Sequence, residues 1–487
     1  MEYFFPIENY KTKFILSLIS GIIYQFGSSM VVTIGNFCVY FASYIHYKQH
    51  SWVNMQYGNI MSPTILLILS SFSPFSGIIE KKIGPRFTLL ISSIIVEICF
   101  ILYYFQSNLW IFYSVSVFIG FGNGISAGVP IKNACLYYPK KKGKISSMIV
   151  CLGGLITSLY VYIGEKIINP DKKSIINKKT NPFYPEDVAE RANNFFIFAM
   201  IVMPITTIIS LFLFYKFEKP KEIDNSKELK KEELLNSQQE NKIESKKEND
   251  ANTKDIILNF RFWRNMIIAS LMPFWVYFLN ATYRAYSTMI GVNADFISYL
   301  PSIITALSSI TGFFWGIIFD KLGFQIIIKI MSLSCILLSI YFIFFISNKT
   351  LYISGLIVST FISRVGMMSI INPHIIQVYE FKNYLIIGGF ARLFNQLSFF
   401  FAGLTSVILS FNFKTGEELK TPYRIVAFIG IILSSIGLIL SFFENDEKFT
   451  FKNIENYNIN PLRINSSKES DIVEEEKNEK DENENKV

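Results

Sequence analysis

Long apolar runs separated by short polar stretches make up most of this 487-residue chain. Crossing a hydrocarbon core of roughly 30 Å takes about 20 helical residues, and lipid leaves each run to satisfy its own backbone hydrogen bonds. The pattern therefore predicts an all-α membrane protein with twelve transmembrane helices. We number these spans 1 to 12, near residues 14–42, 57–79, 87–106, 109–131, 145–168, 194–215, 264–286, 297–319, 325–346, 351–371, 385–410 and 425–443.

Two charged stretches divide this pattern. Residues 216–258, between spans 6 and 7, and residues 444–487, after span 12, are rich in Lys, Glu and Asn. Such segments bury too little apolar surface to offset the entropy of ordering them. We predict an N-terminal six-helix bundle at 1–215, a mostly disordered cytosolic linker at 216–258, a C-terminal six-helix bundle at 259–443 and a disordered cytosolic tail at 444–487.

Composition agrees with a membrane protein and argues against an enzyme. Hydrophobic residues make up 51% of the chain, and the mean hydropathy is +0.34. The five cysteines lie in apolar runs without metal-ligand spacing, and the sequence has only three histidines and no phosphate-binding glycine loop. We therefore expect no enzymatic activity, no metal and no cofactor, and the net charge of +8 does not indicate a nucleic-acid partner.

The short loops predict the orientation, because Lys and Arg favour the cytosolic side. Loops 80–86 and 139–144 are basic and alternate with the uncharged loop 106–108. Both termini and the linker are therefore predicted to be cytosolic. Span 1 is too long for the core of a signal peptide, and the lack of a targeting sequence favours the plasma membrane over an organelle membrane.

One polar turn occurs twice, once in each half. The stretch GIIEKKIG at 77–84 follows span 2, and GIIFDKLG at 316–323 follows span 8. Glycine permits close helix approach and tight reversal, and charged side chains cap or cross-link helix ends. Related six-helix halves around a cavity are typical of alternating-access carriers. The predicted gating loops contain Gly77, Glu80, Lys82, Gly84, Gly316, Asp320, Lys321 and Gly323.

This layout resembles the major facilitator superfamily, whose signature loop reads Gly, three residues, Asp, a basic residue and, one residue later, Gly. Residues Gly316, Asp320, Lys321 and Gly323 fit that signature, whereas Lys81 stands at the Asp position of the first copy. The resemblance implies the major facilitator fold of two six-helix bundles.

Stretches such as YYPKKKGK, NFRFWRNMI and EFKNYLIIGG further resemble the oxalate:formate antiporter and monocarboxylate porter branch, particularly its protist members. This narrower resemblance implies transport of a small carboxylate, with proton symport as a further expectation. The Arg and Lys that bind the carboxylate in bacterial members are replaced here by Gly312 and Asn395. Other residues must therefore supply the anion contacts.

Ionisable residues inside spans are the candidates, because an unpaired charge at the bilayer centre costs at least about 2.5 to 3.5 kcal/mol. A guanidinium matches a carboxylate in a bidentate pair. We predict that Arg364 and Arg284 bind the substrate, together with Asn395 and Arg392. The alternatives are surface anchoring for Arg284 and Arg392, a structural ion pair for Arg364, and interhelical hydrogen bonding for Asn395.

Glu97 lies in the middle of span 3 with no charged neighbour in the sequence. We predict that it carries a coupled proton or pairs with one of the arginines. Lys132 lies close to the cytosolic end of span 4, and its side chain is expected to extend to the surface.

The sequence thus predicts a monomeric secondary active transporter in a lipid bilayer. Its predicted substrate is a small organic anion, a monocarboxylate such as pyruvate or lactate, moved by alternating access together with protons. The alternatives are a carrier of another solute, such as an amino acid, and a sensor that binds without transport.

Overall fold

A computed structural model describes residues 10–49, 52–53, 55–173, 175–176, 183–217, 253–362, 364–412 and 416–443. The described chain is almost entirely helical, apart from an isolated antiparallel bridge between Ile176 and Phe183. Within the predicted linker, Thr253–Leu258 is helical. The rest of that linker, beyond residue 217, and the predicted tail lie outside the described residues.

The helices before the linker are α1 Tyr10–Lys48, α2 Met55–Ser71, α3 Ser76–Ile83, α4 Pro85–Phe105, α5 Leu109–Ser126, α6 Val129–Tyr137, α7 Lys142–Ile168, α8 Glu186–Arg191 and α9 Asn194–Leu213. The later helices are α10 Thr253–Leu258, α11 Phe260–Leu271, α12 Phe274–Met289, α13 Ala294–Phe345, α14 Lys349–Ser359, α15 Arg364–Asn412 and α16 Gly416–Ser441. Short 3₁₀ turns lie at Ser73–Phe75, Pro139–Lys141 and Thr360–Ile362.

Eleven helical stretches of the described chain are long and apolar enough to cross a membrane. One of them, Asp295–Phe345, has 51 residues, about twice the length that one crossing needs. Gly323 interrupts it with φ 73° and ψ 176°, a conformation that glycine adopts without steric strain. This stretch therefore forms two spans, and the prediction of an all-α membrane protein with twelve spans is confirmed.

The chain divides into two units. One contains Met1–Pro220 and Phe260–Asp446, and so holds both sets of six spans, which we call the first and second halves. The other consists of Lys221–Asn259 and Glu447–Val487. The two halves meet where α7 packs along α13 and where α2 packs along α15. These four helices frame the space between the halves.

Large apolar side chains are distributed as a lipid environment requires. Inside the first half, Phe196 stacks on Phe41 and on Tyr103, with both ring centroids at 5.0 Å. On the outside, Phe105 is 75% exposed and Trp110 is 68% exposed. Apolar surface of this extent would favour aggregation in water but is solvated by lipid.

Glycine allows two helices of the first half to pack closely. A Cβ atom added to Gly120 would lie 2.9 Å from the carbonyl oxygen of Ile68, and one added to Gly124 would lie 2.9 Å from that of Leu69. Because these contacts are to backbone, α5 and α2 can pack this closely only with glycine at both positions.

Candidate functional site

A cavity of about 240 Å³ lies between the halves. The first half contributes side chains from α1, α2 and α7, and the second half contributes mainly α12 and α13. Arg284 is the sole charged residue among the described residues that line it, so we call it the Arg284 cavity. Its polar lining residues include Asn36, Ser62, Thr157, Asn280, Tyr283, Thr305 and Ser308.

Arg284 is buried and forms an ion pair across the two halves. Its Nη2 atom donates to Oε1 of Glu165 at 2.6 Å, and its Nε atom donates to the hydroxyl of Tyr283 at 3.2 Å. The hydroxyl of Tyr40 donates to the other carboxylate oxygen of Glu165 at 2.6 Å. Arg284 therefore does not anchor to the surface, and both oxygens of its partner are hydrogen-bonded.

This arrangement offsets the penalty of removing two charges from water. That penalty is several kcal/mol for each ion, and a buried pair is tolerated only when hydrogen bonds satisfy its remaining polar atoms. Tyr40 and Tyr283 supply such bonds here. An anion that enters the cavity must share or replace the carboxylate of Glu165.

Glu165 was not among the site residues predicted from the sequence. It lies one turn before the end of α7 and is followed directly by Lys166. This position is typical of a solvent-exposed residue at a helix end. The available signal was its position in the same apolar run as the small residues Gly153, Gly154 and Gly164. Only packing shows that its 6% exposed side chain faces the second half.

A second cavity, of about 150 Å³, lies nearer the starts of α1 and α7. Arg392 of α15 is the sole charged residue among its described lining residues, so we call it the Arg392 cavity. Val32 and Leu66 line both cavities and therefore lie between them. Two of the predicted arginines thus face two separate spaces along the boundary between the halves.

Asn395 lines neither cavity and is fully buried. Its Oδ1 atom accepts a hydrogen bond from the hydroxyl of Tyr277 at 2.7 Å, and its Nδ2 atom donates to the carbonyl oxygen of Ala269 at 3.4 Å. Because Tyr277 lines the Arg284 cavity, Asn395 positions a wall residue. Of the two roles considered for Asn395, the geometry matches interhelical hydrogen bonding.

The two remaining predicted site residues are Arg364 and Glu97. Arg364 is the first residue of α15, and its side chain lies outside the described residues. Glu97 of α4 is partly buried, lines neither cavity and has an Oε2 atom that no described residue hydrogen-bonds. Within the described chain it forms no ion pair, and Arg284 pairs with Glu165 instead. Arg284 is therefore not the arginine that pairs with Glu97, and the two roles predicted for Glu97, carrying a coupled proton or pairing with an arginine, stay predictions.

The second copy of the gating loop connects the halves at one end of the spans, which we call the basic face because Lys81, Lys82, Lys140 and Lys141 lie there. The carboxylate of Asp320 accepts hydrogen bonds from the backbone N–H groups of Gly143 at 2.9 Å and Lys144 at 2.8 Å. A carboxylate at the N-terminus of a helix accepts hydrogen bonds from free backbone N–H groups and interacts favourably with the positive end of the helix dipole. Asp320 of the second half therefore caps α7 of the first half.

Steric fit completes this contact. A Cβ atom added to Gly316 would lie 2.7 Å from the carbonyl oxygen of Gly143 and would clash with the side chain of Ser147. Gly323 reverses the chain with a φ of 73°, while Lys321 is exposed. Gly316 is thus needed for the close contact between α13 and α7, and the hydrogen bonds of Asp320 stabilise that contact.

The first copy uses different chemistry. Glu80 pairs with Lys132 at 2.9 Å within the first half, so Lys132 does not extend freely to the surface. A Cβ atom added to Gly77 would lie 3.3 Å from the backbone N of Ile386, which shows that this loop packs on α15. Gly84 has a φ of 82° and Lys82 is exposed. Lys81 occupies the Asp position of the signature, so this copy has no carboxylate there. It contacts the second half through the steric packing of Gly77 on α15.

The halves also contact each other at the other end of the spans, which we call the opposite face. The hydroxyl of Ser158 donates to the carbonyl oxygen of Ser302 at 2.7 Å, and Lys172 lies 3.2 Å from Asp295. Hydrogen bonds to Tyr299 and Asp295 raise the pKa of Lys172. Both ends of the boundary therefore carry polar contacts, with the two cavities between them.

The described residues contain no group of three or more His, Cys, Asp or Glu side chains that could hold a metal ion.

Residues 18–403 match the family model of the Major Facilitator Superfamily, and this stretch includes both gating loops and both cavity arginines. No curated protein matches the chain.

Proposed function

The chain belongs to the Major Facilitator Superfamily and is thus a multi-pass secondary transporter, and we propose that its substrate is a small organic anion. The proposed substrate class is a monocarboxylate such as pyruvate or lactate. The two halves would expose the Arg284 cavity to each side of the membrane in turn, as in other carriers built from two related halves.

The observation that carries this proposal is the position of Arg284. It provides the only charge among the described residues that line the cavity between the halves. A guanidinium stays protonated at physiological pH and matches a carboxylate through two parallel hydrogen bonds. The volume of about 240 Å³ is below the roughly 300 to 1,000 Å³ of sites for drug-sized ligands, which favours a small solute.

The pairing of Arg284 with Glu165 couples anion binding to the contact between the two halves. Arg284 holds α12 to α7 through this carboxylate at 2.6 Å. A substrate carboxylate that takes the place of Glu165 keeps the guanidinium paired while it releases the link between the halves, and the displaced carboxylate of Glu165 keeps the hydrogen bond from Tyr40. Binding would thereby loosen the opposite face only when an anion is present, because Arg284 without either partner is a buried uncompensated charge.

Proton symport forms part of the proposal, with Glu97 as the residue that carries the proton. Its support is the partly buried carboxylate with an unpartnered Oε2 atom on α4. Glu97→Gln is expected to retain uptake while the rate no longer responds to an inward proton gradient. A gradient response equal to that of the unchanged protein would remove Glu97 from this role.

Arg364 remains a proposed ligand of the anion and Arg392 a further one, while Asn395 would contribute indirectly by positioning Tyr277 in the wall of the Arg284 cavity. Arg364→Gln is expected to abolish uptake while expression at the membrane is unchanged. We also propose a monomeric chain in the plasma membrane, with both termini in the cytosol as the basic loops favour.

An amino acid is the second candidate substrate. Arg284 and Glu165 present opposite charges within 2.6 Å of each other beside the cavity. A zwitterion could separate this pair and place its carboxylate on Arg284 and its ammonium group on Glu165. This candidate differs from the first in requiring the negative charge of Glu165 for binding, rather than merely for closure.

The decisive experiment measures uptake of radiolabelled pyruvate, lactate and a mixture of amino acids into liposomes that contain the purified protein. Arg284→Gln is expected to lower monocarboxylate uptake at least about tenfold, since a charged hydrogen-bonded partner contributes about 1.5 to 3 kcal/mol. Arg424→Gln, a change at an exposed arginine of α16, is the matched control. Uptake of amino acids alone would favour the second candidate, and binding without uptake of any solute would indicate a sensor.

A further inference from the structure

Three residues that line the Arg392 cavity each have a buried polar atom with no hydrogen-bond partner among the described residues. These atoms are Nη1 of Arg392, Oδ1 of Asn372 and Oε1 of Gln396. Asn372 and Gln396 are only 2% and 3% exposed. Because buried polar atoms are nearly always hydrogen-bonded, three such atoms around one cavity indicate a site that a polar ligand completes.

The charge of Arg392 is also uncompensated. The described lining of its cavity contains no acidic residue, and within the described chain Arg392 forms no ion pair. Arg284, by contrast, is paired with Glu165. A charged group this far inside the spans is costly unless something neutralises it, so the missing partner is expected to be an anion.

The backbone leaves room for this guanidinium. A Cβ atom added to Gly128 would lie 2.9 Å from Nη2 of Arg392 and 3.3 Å from Nη1. The glycine at the start of α6 therefore accommodates the arginine head group between the halves. Gln25 and Asn123 of the first half also line the cavity, so a ligand there would contact both halves.

We propose that the Arg392 cavity is a second substrate site and that it takes a hydroxycarboxylate, of which lactate is the simplest chiral example. The guanidinium binds the carboxylate, and the ligand hydroxyl donates to the amide oxygen of Asn372. Pyruvate has no such donor and binds this site less tightly. The proposal rests on the transport of carboxylates proposed above and adds a second position to the path.

The two sites lie in series. Val32 and Leu66 line both cavities, so a ligand moving between Arg284 and Arg392 passes these two apolar side chains. Both arginines belong to the second half, on α12 and α15. The anion would thus move from one arginine to the next while the first half supplies amide and hydroxyl groups.

The test is equilibrium binding of radiolabelled lactate and pyruvate to the full-length protein in lipid nanodiscs. The unchanged protein is expected to bind two lactates per chain, and Arg392→Gln and Arg284→Gln one each. Asn372→Ala is expected to weaken lactate at one site about tenfold, as the loss of a hydrogen bond predicts, and to leave pyruvate binding unchanged. Arg424→Gln serves as the control, with two lactates bound.

The outcomes separate the two proposals. One lactate per chain, unaffected by Arg392→Gln, would overturn the second site and leave the proposed transport intact. No binding of lactate or pyruvate by the unchanged protein would overturn the carboxylate proposal itself. If Arg392→Gln does not fold, Arg392→Lys and Asn372→Ala decide, because equal binding of lactate to both variants and to the unchanged protein would also exclude the site.

Discussion

The Nη2 atom of Arg284 in the second half lies 2.6 Å from the Oε1 atom of Glu165 in the first half. Their side chains are 10% and 7% exposed, so the pair is removed from water. The residue that marks the proposed anion site is therefore also the residue that links α12 to α7. Ligand binding and contact between the halves share one guanidinium.

Removing the acid alone should destabilise the protein strongly. Glu165→Gln leaves Arg284 buried without a counter-ion, and breaking one side of a buried pair costs about 3 to 5 kcal/mol. We expect the free energy of unfolding in detergent to fall by about that amount. The double variant Glu165→Gln with Arg284→Gln should lose less than the sum of the two single variants, because it leaves no uncompensated charge.

The matched control is the pair of Glu190 with Lys48, whose side chains are 51% and 39% exposed. Glu190→Gln should lower the free energy of unfolding by at most about 1 kcal/mol, because solvent screens exposed pairs. Equal losses for Glu165→Gln and Glu190→Gln would show that burial of the Arg284 pair has no energetic consequence.

Asp320 should control the closure of the basic face. Asp320→Ala removes the cap of α7, which contributes about 0.5 to 2 kcal/mol, and should shift the equilibrium toward a state with the basic face open. Asp320→Asn keeps a hydrogen-bond acceptor and should give a smaller shift. Spin labels at the exposed residues Lys82 and Leu322, in the two halves, measure the separation.

Lys321→Gln is the control for this experiment, since Lys321 is the exposed neighbour of Asp320. It should leave the distance distribution between the labels unchanged. A distribution for Asp320→Ala that equals that of the unchanged protein would show that the cap on Gly143 and Lys144 does not hold the halves together.

Gly316→Ala should impair transport through steric overlap. The added Cβ atom would meet the carbonyl oxygen of Gly143 at 2.7 Å, and such overpacking costs about 1 to 3 kcal/mol of the closed contact. Uptake into liposomes is expected to fall about tenfold. Gly437→Ala, whose Cβ atom would have its nearest neighbour at an ordinary 3.4 Å, should leave uptake within about twofold. Comparable uptake by both variants would exclude a role for the close approach of α13 to α7.

Leu66→Trp should separate binding from transport. Leu66 lines both cavities, and a larger side chain there fills the space between Arg284 and Arg392. We expect lactate binding in nanodiscs to remain at both arginines while uptake falls at least about tenfold. Leu102→Trp, at a 46% exposed position of α4, is the control. Normal uptake by Leu66→Trp would show that the substrate does not pass this point.

The spans were predictable because they depend on local properties of the chain. A run of about 20 apolar residues must form a helix in lipid whatever surrounds it, so length and hydropathy sufficed for all twelve. The turns around Gly84 and Gly323 could also be predicted from the sequence, since only glycine adopts their positive φ without strain.

The partners of the charged residues depended on tertiary structure. Glu165 and Arg284 are 119 residues apart, and their contact requires the rotation of α7 and α12 that packing of the two halves establishes. Glu97 looked like a better partner because it lies mid-span, yet α4 does not place it at either cavity. Similarly, Lys132 met Glu80 across 52 residues instead of extending to the surface.

By itself, the sequence determined the membrane class, the twelve helices, the division into two halves and the arginines worth considering. Hydrophobic length and glycine conformation are properties of short segments, so they could be read directly from the residues. Only the tertiary structure decided that Arg284 is paired while Arg392 has no ion pair among the described residues, and that Asp320 caps a helix of the other half. Such pairings follow from which helix faces meet across the boundary, and no local pattern encodes that.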